Sequence, residues 1–243
     1  AVLGKRMVPY VVKALREAKI GSNWNRPDID YEQNVAGFAK DILGHEVFLG
    51  DFAETLAPFI DAGLMNALAQ TLVKLTAPGI PDIYQGSERG DFSLVDPDNR
   101  PLLDVVSLTV PERPRPTRDN FADYKQWLIA TVLAARNEEP RPFSGPYRPL
   151  DLSDGSRQAL AFLRGTPEAF AITVAPRLVF GKTRPGTLLL TEAVSRNASL
   201  ILPAGFEGRT MRSVLDNREI RLVGTLPLSE LLTADPVALL LSR

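Results

Sequence analysis

Pro81-Asp-Ile-Tyr-Gln-Gly-Ser-Glu88, followed by Asp91-Phe-Ser-Leu-Val-Asp-Pro-Asp-Asn-Arg100, is the stretch on which the fold turns. A short apolar run (Ile80, Ile83, Tyr84) stops at Gly86, and a loop then crowds Gln85, Glu88, Asp91, Asp96, Asp98, Asn99 and Arg100 together. A strand that ends in a polar loop is how an α/β barrel builds a ligand site, at the C-terminal ends of its strands. Polar side chains of several types suit a ligand covered in hydroxyls, which needs donors and acceptors in fixed directions. A surface turn punctuated by Gly and Pro has the same composition, and the residues alone leave both readings open.

Upstream of this stretch the pattern is helical. Met7, Val8, Val11, Val12 and Leu15 predict a helix over residues 7–19. Asp30-Tyr-Glu-Gln33 reads as a capping box that opens a helix with Tyr31, Val35, Phe38, Ala39 and Ile42 on one face, ending near Gly44. Phe48, Phe52, Leu56 and Phe59 form another stripe, expected to break or bend near Pro58 or Gly63. Leu64, Leu68, Leu72 and Leu75 line a helix that stops before Pro78, and a strand over 80–84 is expected directly after it. Helix, short loop and buried strand is the pattern of an α/β barrel. Helical spacing begins almost at Ala1, without a cap or an initiator Met, which suggests a piece of a longer protein.

Downstream, residues 105–118 interleave Pro111, Pro114 and Pro116 with Arg113, Arg115 and Arg118, the composition of an extended, solvated linker. Asp119 is expected to cap a helix through Ala135, with Phe121, Tyr124, Leu128 and Val132 facing inward. From about Pro142 the period changes to two. Strands are expected at 159–164, 169–175, 187–190, 199–202, 211–215, 219–222 and 237–241, with a hairpin signal at Asp216-Asn217. So many short strands over about 100 residues predict a β-sandwich. The predicted class is α+β: a helical segment with the last strand and helix of a barrel over residues 1–140, then an all-β sandwich over 141–243.

Composition bounds the function classes. The 243 residues are 44% hydrophobic and 23% charged, enough apolar surface for a core. A net charge of −1 gives no electrostatic case for nucleic acid or an anionic membrane. The chain has no cysteine, so it has neither disulfides nor thiolate metal sites, which fits a cytoplasmic setting. No uninterrupted apolar run reaches about 20 residues, and no membrane span is expected.

The run Leu75-Thr-Ala-Pro-Gly-Ile-Pro-Asp-Ile-Tyr-Gln-Gly-Ser-Glu88 resembles the last barrel strand of the α-amylase superfamily of glycoside hydrolases. With Ser93-Leu-Val-Asp-Pro-Asp-Asn-Arg100, Ala14-Leu-Arg-Glu-Ala-Lys19, Ser22-Asn-Trp24, Tyr31-Glu32 and Tyr124-Lys-Gln-Trp-Leu-Ile129, it is similar to the maltooligosyl trehalose synthase family within that superfamily. The resemblance covers roughly the first 130 residues and continues more weakly to the C-terminus. It implies a C-terminal portion of an enzyme that converts the reducing-end α-1,4 linkage of a malto-oligosaccharide into an α,α-1,1 linkage. The implied partners are the malto-oligosaccharide and an upstream barrel segment of the same enzyme, with no cofactor and no metal.

The chemistry implied by the resemblance is incomplete in this chain. A retaining glycosidase needs two carboxyl groups about 5–5.5 Å apart, and the family carries them on earlier barrel strands. His45, the single histidine, precedes Glu46 rather than an Asp, and reads as an exposed residue at a helix boundary. No catalytic residue is therefore expected here. Carboxylates crowded in a tight exposed loop also lack the distinct surroundings that separate acid from base. The roles implied are substrate-binding: Tyr84, Gln85 and Glu88 where the last strand meets the cleft, and Asp96, Asp98, Asn99 and Arg100 in the Asp-Pro-Asp-Asn-Arg loop. Lys19 and Trp24 join them from an inserted segment, and the alternative for Asp98 is a turn former ahead of Asn99. Lys125 and Trp127 read as structural. Departures from the family pattern are Arg89-Gly90, where an aromatic or large apolar residue is usual, Pro101 in place of a second Arg, and Val105 after Asp104. A free-standing carbohydrate-binding module and a purely structural module are the alternatives.

Overall fold

The computed structural model describes residues 2–96, 98–99, 109–192 and 198–242. They divide into two compact units, Ala1–Ala57 with Asp91–Val105, and Pro58–Gly90 with Val106–Arg243. The secondary structure is α+β, as expected.

The first unit holds α1 (Val2–Ala18), α2 (Ile29–Ile42) and the start of α3 (Glu46–Thr76). α1 begins earlier than its apolar spacing predicts and contains Pro9. Lys19 follows it in the left-handed region at φ 57°, a helix-ending conformation more often taken by glycine. α2 also starts ahead of its expected cap: Asp28, not Asp30, accepts the Tyr31 N–H at 3.0 Å. Both aspartates have a side chain short enough to cap, and only the tertiary fold selects between them. His45 is exposed at a helix boundary, as expected, and its Nδ1 accepts the Phe48 N–H at 3.2 Å, so it caps the start of α3.

α3 does not break where a break or bend was expected. It runs unbroken through Pro58 and Gly63 for 31 residues, with the division between the units falling at Ala57/Pro58. A proline deletes one donor from the helical ladder, but Leu64, Met65, Leu68, Leu72 and Leu75 bury the turns that follow and keep the chain helical. By length and composition this helix is apolar enough to cross a bilayer, which a search for uninterrupted apolar runs misses. These buried residues belong instead to the hydrophobic core of the second unit.

In that unit α4 (Phe121–Glu138) presents Phe121, Tyr124, Leu128 and Val132 to the core, the face the sequence predicts. Its cap position is Asn120 rather than Asp119, without a side-chain hydrogen bond. The short α5 (Arg141–Ser144) leads into the strands β1 (Tyr147–Leu150), β2 (Ala159–Thr166), β3 (Ala169–Pro176), β4 (Ser199–Ile201), β5 (Thr210–Ser213), β6 (Glu219–Arg221), β7 (Thr225–Pro227) and, after α6 (Leu228–Leu231), β8 (Ala238–Ser242). A six-stranded antiparallel sheet has the order β1-β2-β3-β8-β5-β6, and β4 pairs with β7 separately. Every residue of β3 is buried, as suits a strand inside the sheet with both faces covered. Asn217 takes φ 59° in the β5–β6 hairpin, confirming the turn at Asp216-Asn217.

Two strands escape the sequence pattern, and two expected strands do not form. β1 and β7 contain Pro149 and Pro227; β1 lies at the sheet edge, where a missing donor faces no partner. Residues 187–190 make only the isolated bridge Thr183↔Leu190, because turn bonds occupy the backbone (Thr187 N–H to Arg184 O, Arg184 N–H to Leu189 O). Residues 80–84 are not a strand either. A strand exists only where a neighbour shares its ladder, and among the described residues none does. Ile80 is exposed, while Ile83 packs against the core.

Arginines hold the end of α3. Arg136 donates to the carbonyls of Leu75 (2.5 Å) and Gly79 (2.9 Å), and the buried Arg164 of β2 donates to Thr76 (3.1 Å), Gly145 (3.1 Å) and Phe143. Terminal carbonyls have no helical partner, and cations there complement the helix dipole. Burial and the neighbouring Arg136 both push the Arg164 guanidinium below its usual pKa. Near its end β2 passes through Gly165 at φ 108°, where a Cβ would lie 2.1 Å from the Ala169 carbonyl oxygen.

Candidate functional site

The residues singled out in the sequence fall in both units. In the second, the segment after α3 presents Tyr84 (69% exposed) and Gln85 to solvent. Gly86 takes φ 84°, a turn conformation that side chains resist. The turn closes when the Ser87 N–H and Oγ both donate to the Tyr84 carbonyl, at 2.9 and 2.6 Å. α4 then fixes the loop from below. Lys125 Nζ donates to the Ser87 carbonyl at 2.7 Å, and Arg89 bonds Gln126 Oε1 at 3.0 Å and pairs with Asp123 at 2.5 Å. Arg89, the departure from the family pattern, thus ties the loop to α4. Glu88 between them is half-buried, and its Oε2 is enclosed without a hydrogen-bond partner among the described residues.

In the first unit the described residues 91–96 and 98–99 are organised by their own carboxylates. Asp91 Oδ1 accepts the Ser93 N–H at 2.8 Å, and hydrogen bonds from Ser93 draw the Asp91 pKa down. Asp98 is the fastener. Arg6 of α1 donates from Nε at 2.9 Å to Oδ1 and from Nη2 at 2.8 Å to Oδ2, and the Leu94 N–H donates to Oδ2 at 2.7 Å. Arg6 also reaches the Phe92 carbonyl at 2.9 Å. The Arg6 guanidinium, helped by the Leu94 N–H, lowers the Asp98 pKa. This bonding ties Asp98 both to α1 and to the backbone of its own segment. Asn99 is exposed, and Asp96 is half-buried with an oxygen 3.8 Å from Lys13 Nζ. Arg100 lies outside the described residues.

Lys19 is exposed. Trp24 is 56% exposed, with the Arg16 guanidinium over its ring at 5.0 Å from the centroid. Arg16 is anchored on α2. It donates to Glu32 from Nε at 2.8 Å and from Nη2 at 2.7 Å. Glu32 also accepts from Ser22 Oγ at 2.5 Å, and Ser22 Oγ accepts the Asp28 N–H at 3.0 Å. Arg16 first and Ser22 second hold the Glu32 carboxyl at a pKa of about 2. Pro9, Val12, Lys13, Glu17, Trp24 and Asp96 line a groove of about 630 Å³ in the same unit.

Sequence reasoning gave no role to Arg6, Lys13 or Glu32. Glu32 carried one signal, its place in the Tyr31-Glu32 match. Arg6 carried none, because its partner lies 92 residues away. The arginines of the expected linker are also more tied than their composition suggests. Arg113 pairs with Asp235 at 2.8 Å and stacks over Trp127, while Arg118 pairs with Asp61 at 2.8 Å. Tyr124 Oη donates to the same Asp235 at 2.7 Å, and burial first, then that carboxylate, raise the Tyr124 pKa well above its ordinary value.

A fold of this kind occurs in solved synthase structures. The chain superposes over 99% of its length on the maltooligosyltrehalose synthase of Arthrobacter ramosus, with a TM-score of 0.79 and 29% identity, covering 30% of that chain. A Sulfolobus tokodaii structure with the same designation, given as hypothetical, matches in fold with a TM-score of 0.73 at 22% identity, covering 100% of this chain and 29% of that one. No family model matches the chain. Two Mycobacterium tuberculosis proteins, from different strains and provisionally named maltooligosyl trehalose synthase, are each 33% identical over 188 residues, or 71% of this chain. The chain spans 22% of the length of those relatives. Its recognition as similar to a portion of maltooligosyl trehalose synthase, made from the motifs at 14–32, 75–100 and 124–129, therefore stands.

Proposed function

We propose that this chain is the C-terminal portion of a maltooligosyl trehalose synthase. In this reading residues 1–140 are the end of the catalytic (β/α)8 barrel with inserted helices, and residues 141–243 are a C-terminal β-sandwich domain. The parent enzyme would work in the cytoplasm, cleaving the reducing-end α-1,4 bond of a malto-oligosaccharide and rejoining the released glucose through an α,α-1,1 bond. Keeping that glucose in place while water is excluded depends on positioning. This chain contributes the cleft loop and the sandwich, and the catalytic carboxylates come from upstream barrel strands.

The observation that carries the reading is the 33% identity over 188 residues to proteins of that name. The site geometry is consistent with it. Tyr84 and Gln85 are presented to solvent on a loop braced by α4, and Asp98 is bonded to Arg6. The test is an assay of the parent-length protein with maltopentaose. Loss of reducing ends without net hydrolysis is expected, while the 243-residue chain alone is inactive. Unchanged reducing ends with the parent-length protein overturn the reading. Arg100→Ala in that protein should raise KM for the longer substrates several-fold.

A further inference from the structure

In the second unit the last turns of α3 and the open end of the β2–β3 hairpin enclose a groove of about 550 Å³. Its floor is apolar. Ala69 and Val73 come from α3, while Leu160 and Ala175 pair directly across β2 and β3 and so share one face of the sheet. Leu178 completes the lining, and its backbone is unusual. The Arg177 N–H donates to the Gln158 carbonyl at 2.6 Å, and Val179 is buried in the core. Between these two fixed points Leu178 takes φ 53°, and its side chain stays 60% exposed. A leucine resists the left-handed region, so its neighbours impose a conformation that displays an apolar side chain at the groove. Strain of this kind concentrates at ligand contacts and switch regions.

The charges of the groove select what can fill it. Its ionic groups are Lys74 and Arg177, both exposed, and no carboxylate is among the residues that line it. The other polar groups of the lining are the neutral amides of Asn66 and Gln70. One turn before Lys74, α3 carries Gln70 and Thr71, so no carboxylate neutralises the ammonium along its own helix. A cation entering the groove meets like charge. A neutral apolar molecule leaves both cations without a counter-charge. An acid with an apolar chain matches the two parts together: the chain covers the floor, and the acid group takes the planar fork of the guanidinium and the ammonium. The volume lies within the range of about 300–1,000 Å³ typical of small-molecule sites.

We propose that this groove binds an apolar acid, a medium-length hydrocarbon chain that ends in one carboxylate or phosphate group. The chain lies against Ala69, Val73, Leu160, Ala175 and Leu178, and the acid group is held by Lys74 and Arg177. None of these residues has a sugar-binding role in the proposed function, and the assignment does not rest on that reading.

The test titrates the 243-residue chain with octanoate and octyl phosphate by calorimetry, with octylammonium and acetate as controls. Both acids should bind, and the tighter one identifies the head group. Octylammonium and acetate should bind about 10-fold more weakly or worse. Lys74→Met and Arg177→Met should each weaken octanoate by about 3- to 10-fold, and together abolish its binding, with the far-UV circular dichroism unchanged. Leu178→Gly separates a ligand contact from a packing role. Glycine accepts φ 53° without strain, so this variant should lose affinity several-fold while its urea midpoint holds or rises. A leucine kept for packing alone would lower the midpoint and leave the affinity unchanged, which overturns the inference. Wild-type affinity in the double variant overturns it too, as does octylammonium binding as tightly as octanoate, or no binding of either acid below its aggregation concentration. If neither acid binds and the chain self-associates in sedimentation, with Leu178→Asp abolishing that association, the groove belongs to a second copy and the acid site falls.

Discussion

In Pro58–Gly90 and Val106–Arg243 the apolar side chains of α3, α4 and the strands close on one another, whereas in Ala1–Ala57 and Asp91–Val105 the only buried residues among those described are Ser22, Glu32 and Ala36. Two of those three are polar. Many large apolar side chains of that unit, among them Leu3, Tyr31, Phe38, Val47 and Phe52, are exposed, while Val8, Val11, Val12 and Leu15 are only half-buried. One unit is therefore held by a core and the other by guanidinium–carboxylate clamps, Arg6 on Asp98 and Arg16 on Glu32. Burial stabilises in proportion to area and is insensitive to pH, while a clamp depends on the charge of its carboxylate.

The sharpest test of that contrast is a pair of truncations. Leu72→Ala, at a fully buried site of the core, should cost about 2–5 kcal/mol by urea denaturation. Phe38→Ser, at an exposed site of the first unit, should change stability by less than about 0.5 kcal/mol. Equal losses would break the comparison. Next in size is Arg164→Met. It removes the donors that cap Thr76, Phe143 and Gly145, leaving those carbonyls unpaired, and should cost about 2–3 kcal/mol.

Periodicity read the core well and the clamps badly. Phe121, Tyr124, Leu128 and Val132 were legible because a helix repeats every 3.6 residues and its buried face shows in the sequence. Most strands were legible for the same kind of reason, β1 and β7 being the exceptions on account of their prolines. Arg6 with Asp98 and Arg164 with Thr76 join residues 92 and 88 positions apart, and no local pattern encodes such pairs. The strand expected at 80–84 failed for a related reason: strand-forming residues supply a propensity, but the ladder needs a neighbour from elsewhere. Of the candidate site, Tyr84 and Trp24 are exposed, and the bond of Asp98 to Arg6 carried no local signal.

The clamps predict a pH dependence in the first unit. The folded-state pKa of Glu32 is lowered from 4.5 to about 2, so its contribution is fully present above about pH 4.5 and is lost as the pH falls through about 2. Asp98 shifts in the same direction through Arg6. Iodide access to Trp24 should therefore stay constant from neutral pH to about 4.5 and rise toward pH 2. In Glu32→Gln it should be raised already at neutral pH. A flat profile in the wild-type chain down to pH 2 would mean that the clamp does not hold the indole.

The smallest effect is expected where an ion pair sits on the core-built unit. Arg89 and Asp123 are separated by 2.5 Å, but their side chains are 33% and 43% exposed. Water screens such a pair and both side chains lose rotamer freedom, so a double-mutant cycle with Arg89→Ala and Asp123→Ala should give a coupling of about 0.2–1 kcal/mol. The loop it braces has other anchors in the Lys125 bond to Ser87 and the packing of Ile83 on the core. A coupling well above 1 kcal/mol would show that the 84–90 loop depends on its ion pair as the first unit depends on its clamps. The division between core and clamp would then run along loops and helices rather than between the two units.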